Sequence, residues 1–259
     1  MTLRRIWRAL TEFVRKYDDT HNFTCDICGR EVFDNERVCQ KCREKLPWND
    51  EIFCPLCGRK QLEAGICLDC KQKPPEYDLA RSCFVHEGEA AMLMLKFKRG
   101  AKYLYRTACD FLQPLLEREF PDAEALTFVP MTACAEKKRG YNQSRLMAEE
   151  LARRCGKQLL DVTEKRRDTD EQKTLGREER AKNLEGCFHV FDRKAVKGRQ
   201  IVIVDDIMTT GATVGELASV LFRAGARSVY VLSVTSAINK KQFGILPDKR
   251  KKIKPNDLF

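Results

Sequence analysis

Behind residue 100 the chain alternates between two kinds of apolar pattern. Ala108, Phe111, Leu112, Leu115 and Leu116 recur at three- and four-residue spacing, which predicts a helix with one buried face. Residues 126–129 form a short apolar run stopped by Pro130 and read as a strand. Ala148, Leu151, Ala152 and Cys155 return to the helical period. Residues 201–204 are apolar at every position, as a strand covered on both faces of a parallel sheet must be. Val214, Leu217, Ala218, Leu221 and Phe222 mark another helix, and residues 228–234 another strand. This succession predicts a doubly wound α/β domain, with ligands beyond the carboxyl ends of its strands. At the front, Leu3, Ile6, Trp7, Leu10, Phe13, Val14 and Tyr17 predict an amphipathic helix over residues 1–21. Its polar face carries Glu12 and Asp18, which favours packing on its own protein over a membrane surface.

Between these patterned regions the apolar content drops and cysteines take over. Eight of the thirteen cysteines fall in one block: Cys25, Cys28, Cys39 and Cys42, then Cys54, Cys57, Cys67 and Cys70. Each set is two CxxC pairs, and two such turns can complete a tetrahedral shell around Zn²⁺. Gly29 and Gly58 follow the second cysteine of each leading pair and supply the relaxed backbone such a turn wants. About 50 residues this polar cannot hold together by core burial. Two structural zinc ions would supply on the order of 10 kcal/mol each. Four cysteines per ion leave no coordination position open for catalysis. Disulfides and redox chemistry fit a cytoplasmic chain poorly. Spacing leaves open whether ligands pair within each set or across sets. Cys83, Cys109, Cys134, Cys155 and Cys187 are scattered and read as small buried residues. Pro74 and Pro75, set among charges over residues 71–76, mark a linker.

Composition adds two points. No apolar run approaches the roughly 18 residues of a spanning helix, and the basic start lacks a secretory h-region, which places the chain in the cytoplasm. The net charge of +10 is uneven: residues 240–259 hold seven Lys or Arg against two Asp. Such a tail can draw in nucleic acid through its phosphates, and is equally compatible with a solvated segment.

The chemistry concentrates in residues 201–213. Asp205 and Asp206 stand side by side after the buried strand, and Thr209, Thr210, Gly211, Ala212 and Thr213 lead into the next helix. Paired carboxylates can accept hydrogen bonds from a cis-diol such as ribose. A small hydroxyl-bearing loop at a helix start can cradle a phosphate with its amides. The absence of Gly-Lys-Ser/Thr and of GxGxxG excludes an ATPase P-loop and a dinucleotide fold. A purely structural role would use Thr213 as the helix N-cap, but leaves the rest of the arrangement unexplained.

This stretch resembles the phosphoribosyl-diphosphate (PRPP) signature of type I phosphoribosyltransferases. The resemblance implies that Asp205 and Asp206 bind ribose hydroxyls, that residues 209–213 hold the 5′-phosphate, and that Mg²⁺ accompanies the diphosphate. Residues 128–130 followed by Lys137, Lys138, Arg139, Gly140, Tyr141, Asn142 and Gln143 resemble the "VP … RGFNQ" segment of ComF competence proteins. So do residues 96–100 and the run Gln172, Leu175, Arg177, Arg180, Asn183, Gly186 and Phe188. Met131-Thr132 replaces that family's usual second proline, and the chain carries two cysteine sets where many relatives have one. The ComF resemblance implies a diphosphate role for Lys137, Lys138 and Arg139. It implies partners in PRPP, single-stranded DNA and the competence machinery, and leaves open whether PRPP is turned over. The expected organisation is a helix (1–21), a double zinc ribbon (22–73), a phosphoribosyltransferase-like domain (78–239) and a basic tail (240–259).

Overall fold

The computed structural model describes residues 24–33, 36–167 and 184–238. The expected front helix, the basic tail and the stretch holding Gln172 to Asn183 lie outside these residues. Two short helices, α1 (Gln40–Arg43) and α2 (Leu68–Gln72), belong to the cysteine region. Then come β1 (Leu79–Val85), α3 (Gly88–Lys98), α4 (Leu104–Glu119), β2 (Ala125–Phe128), α5 (Ala133–Arg139) and α6 (Gln143–Cys155). The remainder is β3 (Gln158–Leu159), β4 (Thr163–Lys165), β5 (Phe188–Val190), α7 (Arg193–Val196), β6 (Gln200–Met208), α8 (Ala212–Arg223) and β7 (Ser228–Ser236). Five strands form one sheet in the order β1-β7-β6-β2-β3, parallel at every pairing. β4 and β5 make a separate antiparallel pair.

The central strand β6 explains the double winding. Val202 and Val204 pack with Leu112, Leu116, Met147 and Leu151 of α4 and α6 on one face. Ile201 and Ile203 pack with Val214, Leu217 and Leu221 of α8 on the other. A strand with helices on both sides can carry no alternating polar residue, which is why residues 201–204 are uniformly apolar. The strand runs further than its apolar run, through Asp205 and Asp206 to Met208, because Ser233, Thr235 and Ser236 of β7 continue the pairing.

The outer edge of β1 would present unpaired amides and carbonyls, and the cysteine region covers it. Val85 N donates to Pro47 O (2.8 Å), Asn49 N to Cys83 O (3.0 Å) and Ala80 N to Leu56 O (2.8 Å). Trp48 meets Phe84 and Phe111 edge-on, with centroids 4.8 and 5.8 Å away. Val32, Val38 and Leu46 join the same core as Phe84 and Phe97.

The two cysteine sets fold alike. Cys25 N donates to Arg30 O and Gly29 N to Cys25 O, and Cys54 N to Arg59 O and Gly58 N to Cys54 O. Gly29 (φ 71°) and Gly58 (φ 65°) both adopt the left-handed backbone this turn requires. Their surroundings differ. A Cβ on Gly58 would lie 2.3 Å from Ala80 O on β1, whereas one on Gly29 meets nothing within 4 Å. Gly29→Ala should therefore cost about 1–2 kcal/mol of backbone strain. Gly58→Ala should cost at least about twice as much, because the second ribbon must lift off β1. Urea unfolding of both variants checks this, and equal losses would contradict it.

Candidate phosphoribosyl site

The connections after β2 and β6 leave in opposite directions along the sheet, α6 towards β3 and α8 towards β7. The crevice beyond these two strand ends is a topological switch point, where open α/β sheets bind ligands. Asp205 and Asp206 are on its β6 side. The end of β2 continues through Val129 and Pro130 to α5 on the other side.

Asp205 is buried, and its Oδ1 accepts from Ser144 Oγ (3.1 Å) and from Asp206 N (2.9 Å). Burial pushes its carboxyl up to about 7, the neighbouring Asp206 charge adds to the rise, and Lys98 opposes it. Asp206 Oδ2 pairs with Lys98 Nζ at 3.1 Å, and its Oδ1 accepts from Ile207 N at 2.7 Å. Lys98, the last residue of α3, and Ser144, in the first turn of α6, thus complete the acid pair. Lys98 lies in the 96–100 segment that resembles ComF proteins, without a site role there, and nothing local marks Ser144; the fold brings both to β6 from distant points. His86 stands close by at the end of β1, with Nδ1 2.9 Å from Thr235 Oγ1. Burial lowers its pKa, and the Lys98 charge lowers it further.

Thr209 is exposed and Thr210 half-buried, with Thr210 Oγ1 accepting from Ala212 N at 3.3 Å. The N-cap of α8 is Gly211, at φ 80°, not Thr213, which lies within the first turn. The left-handed residue turns the chain from strand into helix. It also admits Tyr77, whose hydroxyl would be 3.1 Å from any Cβ there. The first-turn amides of a helix have no intrahelical acceptor, so this loop presents donors and a positive dipole end. A cleft of about 590 Å³ borders Thr210, Gly211 and Ala212, walled by Arg59, Asp69 and the 74–75 prolines.

Lys137, Lys138 and Arg139 form the last turn of α5, which Thr132 caps by accepting from Ala135 N and Gly140 ends at φ 85°. All three are exposed. The turn is tied to the crevice in steps. Arg139 Nη1 donates to Gln143 Oε1 (3.1 Å), Gln143 Nε2 to Phe97 O (3.4 Å), and Phe97 precedes Lys98. Asn142 Nδ2 donates to Val129 O (3.0 Å) and so fixes the start of α6 against the end of β2.

At the front, the sulfurs of Cys25, Cys28, Cys39 and Cys42 lie within 4.8 Å of one another, as do those of Cys54, Cys57, Cys67 and Cys70. Grouping is therefore within each set. Tetrahedral Zn–S bonds of about 2.3 Å put sulfurs about 3.8 Å apart. The separations Cys28–Cys39 and Cys57–Cys67 are both 3.8 Å. Amides of Cys39 and Cys67 donate to the sulfurs of Cys25 and Cys54, and Arg59 Nε to Cys57. Donors of this kind suit thiolates gathered on a cation.

Sheet topology, acid pair and cysteine quartets define a type I phosphoribosyltransferase-like domain behind a double zinc ribbon. Residues 142–254 match the phosphoribosyl transferase domain and residues 22–71 the double zinc ribbon domain. The chain is 32% identical over 219 residues to the DNA utilization protein YhgH of Salmonella typhi, covering 82% of this chain and 89% of that protein. It is 30% identical over 215 residues to competence protein ComFC of Bacillus subtilis, covering 78% and 86%. Competence protein F of Haemophilus influenzae is 24% identical over 226 residues, covering 83% and 98%. The chain belongs to the ComF family. No helix among the described residues is long and apolar enough to cross a membrane.

Proposed function

We propose that the crevice binds PRPP with Mg²⁺ and that the protein acts in handling DNA during uptake in the cytoplasm of competent cells. The observation that carries the ligand is the acid pair at the switch point, followed directly by the Gly211-turned loop into α8. Asp205 and Asp206 accept from the ribose hydroxyls, and residues 209–213 donate to the 5′-phosphate. Lys137, Lys138 and Arg139 face the diphosphate. Mg²⁺, when bound with PRPP, would be held largely by the substrate rather than by a protein cage, and would offset the charge of the diphosphate. Two zinc ions sit in the cysteine quartets as structural ions. The DNA role rests on the relatives' names, DNA utilization and competence.

Phosphoribosyl transfer to a nucleophile is the second reading. What favours it is the buried Asp205 carboxyl, which at about 7 is poised to exchange a proton near neutrality. Diphosphate release from PRPP across a panel of nucleobases decides between binding and turnover.

Charge reversal at Lys137 and Lys138, both to Glu, should weaken PRPP at least about 10-fold through lost attraction to the diphosphate. Ribose 5-phosphate, which lacks that group, should be held as before. An equal loss for both ligands would place the diphosphate elsewhere.

A further inference from the structure

The two cysteine quartets are built alike and buried differently. Cys54, Cys57, Cys67 and Cys70 are each at most 3% exposed, whereas Cys28 is exposed and Cys39 half-buried. A Cys-Gly-Arg run closes the leading turn of each set, and its arginine goes two ways. Arg59 is buried, donating from Nε to Cys57 Sγ (3.4 Å) and from Nη2 to Asp69 Oδ2 (3.0 Å). Arg30, its counterpart, is exposed. The backing differs as well: Gly58 lies against Ala80 of β1, while a Cβ on Gly29 would meet nothing within 4 Å. Oxidation of a sulfur follows its thiolate character and its access. Zinc ligands are thiolates in both quartets, so access decides between them.

We propose that Cys28 is a site of reversible oxidation by peroxide, with Cys39 as its resolving partner and the second quartet inert; the inference rests on the zinc reading above. The Cys28 thiolate attacks one peroxide oxygen, forming an S–O bond as the O–O bond breaks and hydroxide leaves. The Cys39 thiolate, 3.8 Å away, then attacks the Cys28 sulfur. The S–S bond forms, the S–O bond breaks and a second hydroxide leaves. Two thiolates have given up two electrons in all, and two protons from solvent turn the hydroxides into water. Cys25 and Cys42 remain, two ligands where a structural zinc site needs four. The sulfurs must close by about 2 Å to bond, and the unbacked turn at Gly29 leaves room for it. A standing disulfide does not suit a reducing cytoplasm, but a transient one is how thiols there sense oxidant. The knuckle opens beside the crevice. Lys96 Nζ of α3 holds its Asp26 and Ile27 carbonyls (3.4 and 2.9 Å), and Lys98 at the end of α3 pairs with Asp206.

The test follows zinc release from the full two-zinc chain into a colorimetric chelator under dilute hydrogen peroxide. One equivalent should leave at least about 10-fold faster than the second, as the difference in access requires. Peptide mass spectrometry at that point, after alkylation of the unfolded chain, should find Cys28 joined to Cys39. Cys54, Cys57, Cys67 and Cys70 should all be alkylated. Dithiothreitol with added zinc should restore two ions per chain. If both ions leave together, or the bond falls within the second quartet, the inference is overturned while the zinc reading stands. The same release without peroxide, or a bond from Cys28 to the exposed Cys134 instead of Cys39, overturns it too. Well under two zinc ions at the start overturns both.

Discussion

Replacing Cys70 by serine is expected to remove one zinc from each chain and to melt the second ribbon. Among the described residues, the hydrophobic cluster of Cys54, Cys57, Cys67 and Cys70 is joined by Leu56 alone. On the proposed reading a bound zinc ion supplies what this cluster's burial does not, on the order of 10 kcal/mol. The four thiols also work against one another. Hydrogen bonds from Cys54 and then Cys57 push the Cys70 pKa up. A cation relieves this by taking every sulfur as thiolate. The consequence reaches the sheet, because Ala80 N and Arg81 Nη1 of β1 bond Leu56 O and Pro55 O of this ribbon. Elemental analysis should fall from two zincs per chain to one, and the melting temperature should drop with it. Two zincs retained in the variant, or well under two in the wild type, would contradict the assignment.

The second large effect is a gain. Asp205→Asn should stabilise the free protein at pH 8 by on the order of 4 kcal/mol. An unfolded aspartate titrates near 4, and burial raises Asp205 to about 7 in the folded state. Between those values the folded chain holds the proton more tightly than the unfolded one. The wild type is therefore favoured at low pH and loses stability as pH rises from about 4 through about 7. Asparagine keeps the acceptor that Ser144 uses and carries no charge. The advantage of the variant should be full above pH 7 and vanish towards pH 4, read by urea unfolding at several pH values. A variant no more stable at pH 8 than the wild type would show that the buried charge is not a cost. Such a cost is expected of a group placed for a ligand rather than for the fold.

Much of this was legible in the chain. The helical stripes at Ala108, Ala148 and Val214 became α4, α6 and α8, and the uniform run 201–204 became the middle of the sheet. These succeed because period reports burial directly. Boundaries failed where chemistry interrupts pattern. Asp205 and Asp206 hide the last residues of β6, whose pairing comes from β7 rather than from their own propensity. Lys137, Lys138 and Arg139 look like an exposed loop, yet Thr132 and Gly140 cap them into a helix. Lys98 and Ser144 are ordinary residues on helix ends, and acquire their role only when tertiary contacts set them against Asp206 and Asp205. The β4–β5 pair joins strands on either side of residues 168–183 and has no local signal at all.

Calorimetric titration of PRPP with Mg²⁺ tests most directly whether the switch-point crevice is a working phosphoribosyl site. The wild type should give saturable binding at one site per chain. The Asp205→Asn, Asp206→Asn double variant, folded and zinc-loaded, should bind at least about 100-fold more weakly, having lost two charge-assisted acceptors for the ribose. No heat with the wild type, or equal binding by both proteins, would contradict a phosphoribosyl site at Asp205 and Asp206.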